Sequence, residues 1–426
     1  PPSSPFSKRA PRAKRCGDSA NCSACAASKR RILPTGRGRS LEALLPVLIK
    51  TLFIILVAVA AFAPVITWVE RKQSAVMQDR IGANRADIAG ITVLGLLHPL
   101  ADVLKLLTKE DVVPTGANRA LHLMAPLIAA IPVIASFGVI PYGGTYHFGD
   151  TVVNLVVADL DWGILYIFAI ASIATYGTVI AGWASNNNWS LLGSLRASAQ
   201  MVSYEVTMGL SIVGLFMCFQ TLRLTDMGVA QDSTFRIFGF LEHFGFVESL
   251  GWLGHLTLPT WGILLQPLAF VLFLTCVMAE NKRPPFDLPE GESEIIAGYF
   301  LEYSGMRFGL FYMSEFIEVV VIGALMTALF LGGWTIPWLS QADIIGGVTP
   351  FFGAGVATGL CMVLHVVAFF AKVIIMIWLQ MQIRWTLPRP RYDQVMDLCW
   401  KVMLPLSLVN IVVTGFVILL LQGAKA

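Results

Sequence analysis

Charge is what this sequence has least of. Of its 426 residues only 13% are charged and 56% are hydrophobic, with a mean hydropathy of +0.70. A soluble globular chain carries about 25% charged residues, so a soluble fold of this length would lack the polar surface to cover itself. Phosphate-binding loops are missing too: there is no Walker loop and no GxGxxG to cradle a nucleotide. Of seven cysteines, Cys16, Cys22 and Cys25 lie in a basic leader, and Cys218, Cys276, Cys361 and Cys399 stand singly in apolar runs. Cys22 and Cys25 have CxxC spacing, but a zinc or iron–sulfur site needs a fourth ligand nearby and none is present. The four later cysteines read as small buried hydrophobes. Six histidines are far apart in sequence, and no Ser/His/Asp or Cys/His arrangement is legible. No metal site is expected, and alone the chain has no means of holding an electron.

The little charge present is unevenly spread. Residues 1–40 hold ten Lys/Arg against Asp18 alone, which leaves 20 Lys/Arg against 26 acids in the remainder. The body is mildly acidic, which excludes nucleic acid as its partner. The leader has no apolar periodicity and is expected to be disordered and absent from the mature protein, leaving 41–426 as a single polytopic domain.

What the sequence does have is long apolar runs. A helix crossing about 30 Å of hydrocarbon needs ~20 residues, and such runs occur at 43–69, 121–140, 161–183, 201–222, 258–279, 308–330, 357–383 and 399–421. They are continuously apolar rather than alternating, which excludes barrel strands. The expected architecture is an all-α integral membrane protein with eight transmembrane helices and amphipathic surface helices in its cytoplasmic loops. Basic residues gather in the connections after the first, third, fifth and seventh spans, which therefore face the cytoplasm, with both termini outside. The Phe- and Trp-rich segment 223–257 is expected to be an amphipathic helix in the interface. Gly353, Gly355 and Gly359 open the seventh span and suggest close helix packing.

Two connections carry candidate chemistry. The third, from Glu280 to Glu302, holds six acids and two bases and begins with a proline-broken stretch, Pro284, Pro285 and Pro289. Glu280 ends an apolar span, Glu315 and Glu318 lie well inside the next, Glu205 sits early in the fourth and Lys372 midway along the seventh. Ionisable groups within membrane helices are unfavourable, face the protein interior or a wet cavity, and mark proton or ion paths. In the first connection Leu100, Val103, Leu104 and Leu107 form one apolar face, with Asp102, Lys105 and Lys109 off it. A slot beside such a surface helix would admit a lipid-soluble ligand; the pattern suits a simple lipid anchor equally well.

The motifs themselves resemble a known family. Residues 279–303, AENKRPPFDLPEGESEIIAGYFLEY, resemble the signature loop of one membrane subunit of respiratory complex I, the H subunit of bacteria and subunit 1 of mitochondria. GWASNNNWSLLGSLRASAQMVSYEV at 182–206, QDRIGAN and LADVLKLLTKEDVVP resemble other loops of that family, in matching order over roughly 43–421. Ala83 departs from the family's usual Pro, and Asn188 from its common Lys. The resemblance implies a membrane subunit of NADH–quinone oxidoreductase that forms much of the quinone tunnel and has no activity alone. Carried over by motif, Glu205, Glu280, Asp287, Glu290, Glu292, Glu294, Glu302 and Glu315 would be proton-coupling acids, while Arg71, Arg80, Asp102 and Phe286 would line the tunnel. Quinone would be substrate, with NADH, FMN and iron–sulfur clusters held by partners. Those partners are the hydrophilic-arm subunits with the terminal cluster, and the small and antiporter-like membrane subunits. A bacterial inner membrane is expected rather than a mitochondrial one. Two alternatives are an equivalent subunit of an energy-converting hydrogenase and a stand-alone ion transporter; against the second, no internal repeat is evident.

Overall fold

A computed structural model describes residues 37–87, 90, 92–149, 151–236, 257–289, 291 and 296–423. Glu290, Glu292 and Glu294, most of the leader, and Phe238, Phe240, Phe244, Phe246 and Trp252 lie outside the described residues. The chain divides into two compact units, Pro1–Pro46 and Val47–Ala426, and the second holds every long apolar helix among the described residues.

Helix α1 (Arg37–Ile54) passes through a π-helical stretch, Ile55–Phe62, into α2 (Ala63–Met77). A surface helix, α3 (His98–Thr108), precedes α4 (Arg119–Ser136). Asn118 starts α4 by accepting the Leu121 N–H at 3.4 Å, satisfying one of the four orphan donors at a helix start. A hairpin, β1 (Thr145–Phe148) and β2 (Thr151–Asn154), pairs Thr145 with Asn154. Then come α5 (Gly163–Ala184) and α6 (Asn188–Phe219), the latter capped by Asn187. A short α7 (Leu224–Ala230) leads to β3 (Thr234–Arg236), which pairs with β4 (Thr257–Pro259). Helices α8 (Gly262–Leu265), α9 (Pro267–Glu280), α10 (Gly305–Phe330), α11 (Gln341–Phe352), α12 (Ala354–Thr386), α13 (Tyr392–Asp397) and α14 (Leu404–Gly423) complete the order.

The molecule is mostly helical, as expected. Among the described residues six helices are long and apolar enough to cross a membrane: Arg119–Val139, Gly163–Ala184, Asn188–Phe219, Gly305–Phe330, Ala354–Thr386 and Tyr392–Leu421. The expected first and fifth spans are represented by shorter apolar helices, Pro46–Val57 and Pro267–Glu280. In the fifth, residues 257–266 form strand β4 and the short α8, and Pro267 opens the helix. Its 14 residues rise only about 21 Å. The fourth helix is longer than expected, beginning at Asn188 rather than at 201. The expected interfacial helix over 223–257 is replaced, among its described residues, by the seven-residue α7 and a β pair.

Helix α10 is the hub. Of its most apolar window 89% is buried, against 17% for the last span, which leaves an apolar face suited to lipid or a neighbouring subunit. Helices α4 and α5 approach until a Cβ on Gly177 would sit 2.9 Å from the Ala129 Cβ. Ala125 and Ala181, both wholly buried, continue this small-residue seam one turn away. The close packing expected at Gly353, Gly355 and Gly359 is not found among the described residues. The first two have no atom within 4 Å of a would-be Cβ, and the third meets only the Phe148 ring edge at 3.9 Å.

Candidate functional site

Helix α9 ends at Glu280, whose residue is 3% exposed and whose two carboxylate oxygens have no hydrogen-bond partner among the described residues. The side chain lines a cavity of about 50 Å³ between α4, α5, α6, α9 and α10, which Glu318, Pro132, Phe168 and Met208 also line. Its charged neighbours are Glu318, Glu205 and Lys282. Glu205, on α6, accepts a short hydrogen bond from the Ser172 hydroxyl on α5. Glu315, one turn before Glu318, accepts from the Tyr299 hydroxyl at 3.0 Å. Lys282 stands 5.6 Å over the Tyr299 ring and is a charged neighbour of both Glu280 and Glu318. The fold thus brings together Glu205, Glu280 and Glu315 of the expected acids, and adds Glu318.

Glu302 and Asp287 stand apart from that set. Glu302 accepts from Asn187 Nδ2 at 2.6 Å and lines an open polar pocket with Asn186, Asn188 and Trp189. Beside it Tyr303 stacks on His122, ring centroids 3.9 Å apart, and burial pushes the Tyr303 hydroxyl above its ordinary value. Asp287 is paired with Arg389 Nε at 2.7 Å.

The stretch after Glu280 is held from three sides. Gln200, wholly buried on α6, donates through one nitrogen to the carbonyls of Ala279 and Phe286, each at 2.7 Å. Asn281 donates to Gln380 on α12 at 3.1 Å. Arg283 Nη1 donates to both carboxylate oxygens of Glu70, at 3.0 and 3.2 Å, and Arg384 makes a second, short ion pair with the same carboxylate. Burying a carboxylate is tolerable only when it is paired, and here two guanidiniums about a hundred residues apart, Arg283 and Arg384, share the task.

A second cavity lies on the other side of α10. It encloses about 170 Å³ between α2 (Ala63, Pro64, Thr67), α3 (Pro99, Asp102, Val103, Leu106) and α10 (Met306, Gly309, Leu310, Tyr312, Met313, Phe316), and is almost wholly apolar. The surface helix expected at 98–109 is present, and Leu100, Val103, Leu104 and Leu107 are all exposed along it. Asp102, at the cavity rim, pairs with Arg71 at 2.5 Å. Arg80 is exposed in the turn after α2, its N–H bonded to the Ala75 carbonyl. Phe286 is not on this cavity: it is buried against Tyr204, ring centroids 5.6 Å apart.

Sequence reasoning passed over Glu70, Gln200, Arg283 and Arg384 as site-forming residues. Glu70 adjoins Arg71 and Lys72 and so reads as a solvated helix end, while an isolated Gln in an apolar helix carries no signal of its partners. Lys372 turns out to be a local fastening. Its ammonium donates to the carbonyls of Leu331, Gly333 and Thr335 at 2.6, 3.1 and 2.5 Å, tying α12 to the turn that follows α10. No group of three or more His, Cys, Asp or Glu suited to a metal ion is found among the described residues.

Known proteins are similar to this chain over most of its length. The family model for NADH dehydrogenase matches residues 49–415. A Geobacter metallireducens protein, named as an H subunit of NADH-quinone oxidoreductase, is 43% identical over 372 residues, 87% of this chain and 95% of its own length. A Cytophaga hutchinsonii protein of the same name is 41% identical over 374 residues, 88% of this chain and 96% of its own. A third, from Bdellovibrio bacteriovorus and also named as the H subunit of that enzyme, is 41% identical over 383 residues, covering 87% and 95%.

Proposed function

This chain belongs to the NADH dehydrogenase family, and on that footing we propose that it is the quinone-site membrane subunit of a proton-translocating NADH–quinone oxidoreductase. The observation that carries the proposal is Glu280, a wholly enclosed carboxylate without a hydrogen-bond partner among the described residues, sharing a cavity with Glu318. A cavity of about 50 Å³ has room for three or four waters at roughly 10–15 Å³ each. Two carboxylates lining so small a space cannot both be charged without penalty, so their protonation responds to any nearby change of charge.

The division of labour follows. NADH, FMN and the iron–sulfur clusters reside on hydrophilic-arm subunits, and this chain receives the quinone and handles protons. An apolar quinone leaves the lipid through the cavity between α2, α3 and α10, past the Arg71–Asp102 pair. Its reduction to quinol consumes two electrons from a partner's cluster and two protons. Proton withdrawal leaves negative charge near 280–302, which changes the protonation of Glu290, Glu292, Glu294 and their neighbours. The change passes along Glu205, Glu280 and Glu315 to the small and antiporter-like membrane subunits. Residues 41–426 act as one domain crossing a bacterial inner membrane eight times. The two shorter helices count among the crossings, and the 280–302 connection lies on the cytoplasmic side.

In the assembled complex in proteoliposomes, Glu280→Gln and Glu294→Gln are expected to lower NADH-driven proton translocation about tenfold, equivalent to ~1.4 kcal/mol of barrier. Turnover and pumping at the unsubstituted level in both variants would refute the proposal.

A further inference from the structure

We infer that Phe316 and Arg283 act together as a positioning relay that ties occupancy of the lateral cavity to the protonation of Glu318 in the inner cavity. The inference rests on the reading of the lateral cavity as the quinone's route. Phe316 and Glu318 are two residues apart on α10, about 200° around the helix. The first lines the lateral cavity and the second the inner one. Helix α10 is therefore the partition between them, and a signal crossing it needs a carrier.

Arg283 is placed to be that carrier. Its guanidinium lies 4.2 Å from the centroid of the Phe316 ring, a face-on contact that makes the planar cation follow the ring. A flat, apolar occupant of the lateral cavity presses on Phe316 and on Tyr312, which packs edge-on against it at 4.9 Å. On the other side, Glu318 feels the charges of Lys282, Glu315 and, less strongly, Arg283, and Glu280 lines the same cavity.

Two details allow Arg283 to shift without stranding a buried charge. Its Nε is buried with no acceptor among the described residues, so one donor is uncommitted. Glu70, its present partner, is also paired with Arg384, so that carboxylate stays neutralised when Arg283 moves away. A lone arginine on Glu70 would be locked by the penalty of leaving the carboxylate unpaired; the second arginine removes the lock. Displacement of Phe316 carries the guanidinium toward Glu318 and favours its ionised form, releasing a proton into the inner cavity. By reciprocity, proton loss from Glu318 must tighten binding in the lateral cavity by the same factor.

The test measures local occupancy. A short-chain azidobenzoquinone is photolysed with the intact complex in nanodiscs, and labelling of the α10 peptide is quantified against probe concentration. The half-saturating concentration is expected to fall about tenfold from pH 6 to pH 8, the equivalent of one pKa unit. That pH dependence is expected to vanish in Phe316→Leu and in Arg283→Lys, whose ammonium keeps the charge and loses the planar contact. A pH-independent wild type, or variants that keep its slope, overturns the relay. Should Phe316→Leu not assemble, Arg283→Lys decides. Absence of α10 labelling in the wild type overturns the quinone route itself.

Discussion

Glu70 and Glu280 are both buried carboxylates, and their surroundings assign them opposite tasks. Glu70 is gripped by two guanidiniums, so its charge is permanent and architectural. Replacing it by Gln leaves the buried Arg283 and the half-buried Arg384 without their counter-ion, a loss of about 3–5 kcal/mol. Glu70→Gln is therefore expected to abolish accumulation of the assembled complex on native gels, and Glu70→Asp to restore it in part. Asp232, in the turn after α7, makes a pH prediction. Burial and Asp343 push its carboxyl up, against the pull of the Gln341 N–H and Lys372. A carboxyl raised on folding contributes stability that is full below its unfolded pKa and lost as pH rises through the folded one. Asp232→Asn is expected to melt above the wild type at pH 8, with the two converging near pH 4 in a thermal-shift series. Equal offsets at both pH values would contradict the assignment. The sequence exposes Glu280 and Glu318 as charges inside apolar runs, but Glu70 lies beside Arg71 and Lys72, and nothing local reveals that its counter-ions come from 283 and 384.

Helices and turns carry the next layer. Gly193 on α6 touches the 3₁₀ turn Gly298–Phe300 so closely that a Cβ would stand 2.8 Å from Gly298 Cα. That turn places Tyr299 under Glu315. Gly193→Ala must displace the turn's backbone, a penalty of about 1–3 kcal/mol for overpacking. It is expected to cut NADH-driven quinone reduction at least as strongly as Tyr299→Phe, which removes the hydroxyl alone. Activity in Gly193→Ala matching the unsubstituted complex would show the contact to be slack. Hydropathy locates the six long helices well, because burial in lipid demands a continuous apolar run. It misjudges the fifth, where apolar residues 258–266 belong to a strand and a short turn of helix before Pro267. Glycine spacing misleads in the same way. Gly353, Gly355 and Gly359 have the pattern of a packing face, yet among the described residues only Gly359 has a neighbour within 4 Å, the Phe148 ring edge, whereas α4 and α5 approach closely at Gly177, one glycine opposite an alanine. A spacing shows which residues share a face, and only the partner helix shows whether that face is used.

At the scale of the whole molecule the design is a partition. A central helix separates an apolar cavity open to the side from a small acidic one within, and the stretch after α9 is fastened to α2, α6 and α12 around it. No redox group is needed on this chain for such a device to work. A change of charge near the connection suffices, because carboxylates out of bulk water titrate in response to their neighbours. The most direct measurement is the infrared difference spectrum of the intact complex on quinone reduction, recorded for the wild type and for Glu280→Gln. The account predicts a protonation band of a buried carboxyl in the wild type that is lost in the variant. Identical spectra, with quinone reduced to the same extent in both, would contradict it.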